Sequence, residues 1–232
     1  MKRIRIVGLC LVAVFATSAV AASNASAKEF PLYVLLPGKT FPVKYHGLVT
    51  TPATRLETAD GTFVECQKVH IEGEILSVHL TTTHYLFLEC VESALGSKCT
   101  SSGAPTGDIL LLAEEHLGLI DDPTGNLFND TGVLVLLPSG FHFKCAVEIK
   151  VSGSVIGQIV STIGQQEHET EFKYSVSSTK GMPLFLKFLS PLGPEEVEAK
   201  LTTEILGSSE ESDQLGNGKI LLLPATETVE IS

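Results

Sequence analysis

Apolar and polar residues alternate along most of this chain. From Phe141 to Val151 the odd positions read Phe141, Phe143, Cys145, Val147, Ile149 and Val151, and the even ones His142, Lys144, Ala146, Glu148 and Lys150. A period of two sends successive side chains to opposite faces, so this run predicts a long half-buried strand with Cys145 on its buried face. Leu76, Val78, Leu80, Leu86, Leu88 and Cys90 predict a second strand. That register puts His84 on the apolar face as a hydrogen-bonded core histidine, and Ser77, His79, Thr81 and Tyr85 on the outer one. A third case sets Val197, Ala199, Leu201 and Ile205 against Glu196, Glu198, Lys200 and Glu204.

Shorter strands are predicted at 32–36, 41–45, 63–66, 108–112, 133–137, 171–176, 220–223 and 228–231. Turn-rich segments separate them: Pro37-Gly38, Ala59-Asp60-Gly61, 101–107, 121–125, Pro138-Ser139-Gly140 and Gly216-Asn217-Gly218. Many short antiparallel strands at such spacing define an all-β chain, a β-sandwich or a barrel-like domain. Ile109 to Leu119 is the one stretch that reads as a helix, and it fits a hairpin equally well. Residues 208–213, Ser-Ser-Glu-Glu-Ser-Asp, read as an exposed loop.

The first 27 residues stand outside this pattern. Lys2, Arg3 and Arg5 precede an uncharged apolar run from Ile6 to Ala22, and Ala25-x-Ala27 follows. Basic, apolar, then small is the order of a cleavable secretory signal, predicting a mature chain from Lys28 that works outside the cytoplasm. Cys10 lies inside the apolar run behind Leu9, not after small residues, so it leaves with the leader rather than carrying a lipid. No later stretch is apolar for long enough to span a bilayer as a helix. Residues 28–232 then form a single secreted β-rich domain, with the part from about 180 as a candidate subdomain because it lacks cysteine and is richer in acids.

Export fixes the reading of the cysteines. Cys66, Cys90, Cys99 and Cys145 are an even set in an oxidising compartment, and no close C-x-x-C pair suggests zinc. Four cysteines permit three pairings. Cys99 lies in the turn-rich stretch after Gly96, next in sequence to Cys90, so Cys90–Cys99 is expected, leaving Cys66–Cys145 as the long-range bond.

Removing three basic residues from 16 leaves 13 Lys and Arg against 27 Asp and Glu, a formal charge of −14 on the mature chain. Such a surface repels phosphate backbones and anionic head groups, which argues against nucleic-acid and membrane-surface roles. The chain has no Trp and four Tyr, so exposed aromatic platforms for sugar rings are scarce.

Cys66, Cys99 and Cys145 are each followed, after six or seven residues, by Gly-x-Ile or Gly-x-Val: Gly73-Glu74-Ile75, Gly107-Asp108-Ile109 and Gly153-Ser154-Val155. A glycine there predicts a bulge or tight turn at a strand entry. Leu-Leu-Pro recurs at 35–37, 136–138 and 222–224. Together, the apolar leader, Leu56-Glu57-Thr58, the Cys90 and Cys99 pair around a glycine loop, and Gly153-Ser154-Val155-Ile156-Gly157 resemble a family of secreted, β-rich bacterial proteins without an assigned activity. The resemblance implies export and a β-rich fold, and it transfers no catalytic residue.

Candidate chemistry is sparse. Gly153-Ser154-Val155-Ile156-Gly157 holds a serine but not the G-x-S-x-G spacing of a nucleophile elbow. Glu167-His168-Glu169-Thr170-Glu171 offers carboxylates and one imidazole without the second histidine of H-E-x-x-H. Asp121, Asp122, Asn126 and Asp130 are the calcium candidates, hard oxygen ligands around Gly125 that lack the EF-hand's closing glutamate. Leu223-Pro224-Ala225-Thr226-Glu227 approaches a sortase signal, but no apolar span and basic tail follow it. These readings predict a secreted, non-enzymatic structural or binding protein without a cofactor, its partner a protein or a cell-surface component. A secreted hydrolase and a calcium-dependent adhesion module are the alternatives.

Overall fold

The structure is a computed structural model, and it describes residues 30–35, 37–121, 128–160, 166–167, 169–174, 183–192, 196–223 and 229–231. Pro31 to Ser232 form one compact unit. All regular structure among the described residues is β, in fifteen strands. They are β1 (Tyr33–Leu35), β2 (Val43–Thr58), β3 (Phe63–Ile75), β4 (Leu80–Glu92), β5 (Thr100–Ser101), β6 (Ile109–Asp121), β7 (Phe128–Lys144) and β8 (Glu148–Ile159). The remainder are β9 (Gln166–Glu167), β10 (Glu169–Tyr174), β11 (Lys187–Leu189), β12 (Glu196–Glu198), β13 (Leu201–Ile205), β14 (Ser208–Leu223) and β15 (Val229–Ile231).

The strand pairings close a ring. Neighbours run β6-β4-β3-β2-β14-β10-β8-β7, and β7 pairs back onto β6 from Glu114↔Leu136 to Asp121↔Phe128. Between β14 and β8 the wall is made of two collinear pieces: β10 fills one end, through Tyr174↔Gly216 and Phe172↔Ile159, and β13 the other, through Leu201↔Ser212 and Leu201↔Gly153. The result is an eight-position antiparallel barrel in which each strand lies beside the next, so only the short appended strands keep edges. β11 and β12 lie between the two half-strands in sequence and pair along β6 through Phe188↔Ile120. β1, β15 and β9 form a separate small sheet, and Tyr33 and Ile231 from it are buried in the main core.

The inside is apolar and the outside polar. On β6 the buried set is Ile109, Leu111, Ala113, Glu115 and Leu117, while Leu110 and Leu112 are exposed. This one straight strand replaces the helix or hairpin expected at 109–119. Its odd positions meet the interior and its later even ones, Gly118 and Ile120, are covered by Phe188. The outer face carries Lys44, Lys68, Glu65, Glu72 and Glu74, the orientation of a water-facing barrel. Among the described residues no helix is long and apolar enough to cross a membrane.

Several sequence expectations change form. The run 141–151 is a hairpin rather than one strand: Phe141 faces Val151 and Phe143 faces Ile149, and the turn at 145–147 preserves parity, so the alternation continues through it. Cys145 sits in that turn, half-buried. Pro138-Ser139-Gly140 and Gly216-Asn217-Gly218 are not turns but lie at register shifts inside β7 and β14. A bulge absorbs the extra residues and the strand continues, which is why the strands are long where short ones were expected. Residues 208–213 are the start of β14, paired to β13, with Ser212 and Asp213 buried, in place of an exposed loop.

β4 presents the face opposite to the one expected. Thr81, Thr83 and Tyr85 point inward, and His84 is exposed. Beyond them the parity switches at Glu89, which has φ 55°, so that Cys90 and Glu92 are buried. His79, expected outside, is half-buried, and burial holds its imidazole below the usual range.

The disulfides are Cys66–Cys90 and Cys99–Cys145, correcting the expected Cys90–Cys99 and Cys66–Cys145. Cys66 and Cys90 are directly opposed on β3 and β4. Thr100 pairs with Lys144, so Cys99 and Cys145 occupy the next rung. Cys99 does lie beside Cys90, but the two meet through backbone, the Cys99 N–H donating to the Cys90 carbonyl at 2.9 Å. Proximity in sequence pointed to the wrong partner because both thiols are committed across strands.

Candidate functional site

The chain's four tyrosines converge inside the barrel. Tyr33 arrives from β1, Tyr45 from β2, Tyr85 from β4 and Tyr174 from β10, and all line one chamber with Glu115 of β6. Glu115 is buried. Its Oε2 accepts a hydrogen bond from Thr81 Oγ1 at 3.0 Å and its Oε1 accepts one from the Tyr85 hydroxyl. The Tyr85 and Tyr174 hydroxyls lie 3.4 Å apart, and Tyr45 pairs with Thr83 at 2.5 Å. Glycines make room for two of the rings: a Cβ on Gly157 would come 2.9 Å from Tyr174 Cε1, and one on Gly73 would overlap the ring of Tyr45.

Electrostatics tie these groups together. Burial pushes the Glu115 carboxyl up, against the opposing pull of the Tyr85, Thr83 and Thr81 hydroxyls. Burial likewise raises all four phenols well above their ordinary value, and the Glu115 charge raises each further. Among the described residues no Lys, Arg or His lines the chamber.

A second, apolar chamber abuts the first, sharing Tyr85, Phe172 and Tyr174 as its wall. Its volume is about 80 Å³, against about 50 Å³ for the polar one. Ile71, Phe87, Leu111, Val135 and Phe143 are among its lining residues, with Thr54 and Gln214 as its polar exceptions. At the disulfide end of the barrel a cup of about 310 Å³ collects the turns around Asp60, Glu92, Val147 and Ile205.

Of the side chains singled out for chemistry, Ser154, Asp121 and Asp130 do not line the two inner chambers; Val155, Gly157 and Thr170 from the candidate motifs do, as do Cys66, whose sulfur is in a disulfide, and Thr81 and Tyr85, expected on the outer face. Asp121 is buried and its Oδ1 accepts from the Lys187 N–H at 3.2 Å, while Asp130 Oδ2 accepts from Gln158 Nε2 at 3.1 Å. Asp122 and Asn126 lie outside the described residues, as do His168 and 224–227. Ser154 is a buried strand residue opposite Leu136, its N–H donating to the Lys200 carbonyl at 3.0 Å.

A further buried acid, Asp213, lies outside both chambers. Asp213 is opposite Glu57 across β14 and β2, and its Oδ2 has no hydrogen-bond partner. Burial, with a smaller contribution from the Glu57 charge, raises its carboxyl to about 7. Between the unfolded pKa near ~4 and the folded value, unfolding releases a proton, so stability falls as pH rises through that window. Asp213→Asn should therefore unfold at higher urea than the parent at pH 8, by about 1–3 kcal/mol, and lose the advantage below about pH 4. Equal midpoints at both pH values would contradict a strained buried acid.

Comparisons with protein-family models, with curated proteins and with solved structures find no match to this chain.

Proposed function

We propose that this protein is an exported, non-catalytic binding module that takes a small, largely apolar molecule into its barrel. The observation that carries the reading is the pairing of an apolar chamber with a polar end in which one carboxyl group and four tyrosines converge. Binding sites of this kind are mostly apolar, with a few placed polar groups that fix orientation. A cavity of 150 Å³ in another protein is enough for benzene, so about 80 Å³ suits a chain of a few carbons. Two disulfides are compatible with the oxidising compartment that the leader implies.

The test is a melting series of the mature chain with n-butanol to n-octanol, read alongside tyrosine emission. The chain lacks Trp and its four tyrosines all line the polar chamber, so intrinsic emission reports that chamber and, through Tyr85 and Tyr174, the apolar one beside it. A ligand at a hundredfold excess over its Kd should stabilise by about 2.7 kcal/mol, raising Tm by about 5–10 °C. No shift in melting or emission with any member of the series would refute the reading.

A further inference from the structure

We infer that the polar end of the barrel is a site for a small organic cation, an alkylammonium head group held between Glu115 and the four tyrosines. This rests on the reading of the barrel interior as a binding site and names the chemistry that its polar end selects.

Among the described residues Glu115 is the one acid lining either inner chamber, and no basic side chain lines them to answer it. A lone buried carboxylate is disfavoured by several kcal/mol, and neutral hydroxyls offset only part of that. A residue that served packing alone at this position would be apolar, like Leu111, Ala113 and Leu117 on the same face of β6. A cationic guest supplies the missing charge. Aromatic rings around it add attraction through their negative faces, the arrangement by which quaternary ammonium groups are held.

The walls decide between an organic cation and a metal ion. Ile75, Val133, Ile159, Phe172 and Ile231 complete the polar chamber, so most of its surface is hydrocarbon. Calcium takes six to eight oxygen ligands, most often with several carboxylates, whereas this chamber offers one. A methylated or alkylated ammonium instead matches an apolar wall with one charge, and its chain continues toward the adjoining apolar chamber. The −14 charge of the mature chain raises the local concentration of any cation.

Titration behaviour separates this assignment from general apolar binding. Among the described residues the ionisable groups facing Glu115 are Tyr33 from β1, Tyr45 from β2, Tyr85 from β4 and Tyr174 from β10, and all remain protonated through neutral pH. Glu115 is thus the group whose charge changes as pH rises, and a bound cation favours its ionised form. Affinity for a permanently charged ammonium should rise as pH rises above the ordinary carboxyl range, while affinity for an alcohol of equal length should not.

The experiment titrates the mature chain with hexyltrimethylammonium, hexylammonium, n-hexanol, hexanoate and KCl at constant ionic strength, following tyrosine emission. The ammonium probes should bind at least about tenfold more tightly than hexanol, hexanoate should bind least, and KCl should leave the signal unchanged. Glu115→Gln, whose single carbonyl oxygen accepts from one of Thr81 and Tyr85 while its amide donates to the other hydroxyl oxygen, should abolish the ammonium preference, so that the variant binds hexyltrimethylammonium and n-hexanol with Kd values within about twofold of each other. Should that variant fail to fold, the pH series on the parent chain decides alone, since a flat hexyltrimethylammonium profile overturns the inference. Hexanol or hexanoate binding as tightly as the ammonium probes, or KCl reproducing their signal, also overturns it while leaving the barrel reading intact. If no probe binds at all, both fall.

Discussion

Replacing Cys99 and Cys145 together by Ala should lower the unfolding free energy by about 4 kcal/mol, and replacing Cys66 and Cys90 by about 3.5 kcal/mol. The ordering follows from the loops they close, with sequence separations of 46 and 24, because the longer loop loses more entropy in the unfolded chain. The first variant also releases the turn between β7 and β8 from β5, a strand of two residues whose pairing is with β7 alone. In a domain of this size the losses correspond to about 8–16 °C and 7–14 °C in Tm. Calorimetry of the two double variants checks the order, and a non-reducing peptide map checks the pairing. A Cys90–Cys99 or Cys66–Cys145 fragment would overturn both the map and the ranking.

Gly153→Ala should destabilise by about 3–5 kcal/mol, as the sum of three effects at one residue. Gly153 has φ 103°, a conformation that a Cβ disfavours. The added carbon would overlap the Lys200 carbonyl oxygen, which is backbone and cannot swing aside. That same oxygen accepts the Ser154 N–H at 3.0 Å, the bond that holds the segment before β13 against β8. Opposite lies Leu137, at the start of the β7 bulge that runs to Phe141. Urea unfolding should show a lower midpoint at unchanged slope. A change below about 0.5 kcal/mol would mean that the joint between the half-strand and the wall relaxes freely.

Part of this architecture is written in the alternation of the chain. Phe141, Phe143, Ile149 and Val151 face the core as the period requires, although a turn divides them. Period two separates two faces without saying which one is inside. On β4 hydrophobicity alone favours the leucines and His84 for the inside, yet the inward set is Thr81, Thr83 and Tyr85. Their burial makes sense only beside Glu115, a residue 30 positions from Tyr85 that the ring of strands brings next to it. Glu115 itself interrupts the inward series Ile109, Leu111, Ala113, Leu117. That acid on an apolar face is the local signal for the site, and it shows only in a single strand, not in the helix or hairpin that 109–119 also fits. The convergence of four tyrosines from β1, β2, β4 and β10 is a property of barrel closure, and no local pattern carries it. The glycine echo after the cysteines has separate causes: Gly107 takes a left-handed turn before β6, Gly153 admits a backbone carbonyl, and Gly73 lies under the Tyr45 ring.

The most direct test of the tyrosine chamber is alkaline titration of the native mature chain, following phenolate absorbance beside far-ultraviolet circular dichroism. All four phenols are raised well above their ordinary value. The unfolded chain ionises them near pH ~10, so it binds fewer protons than the fold above that pH, and stability is lost as pH rises further. The structure predicts no phenolate signal from the native protein at about pH 10–11, then one cooperative step in which all four tyrosines ionise together with loss of the β signal. One or more tyrosines titrating near pH ~10 in the intact fold would show that they do not share a buried chamber with Glu115.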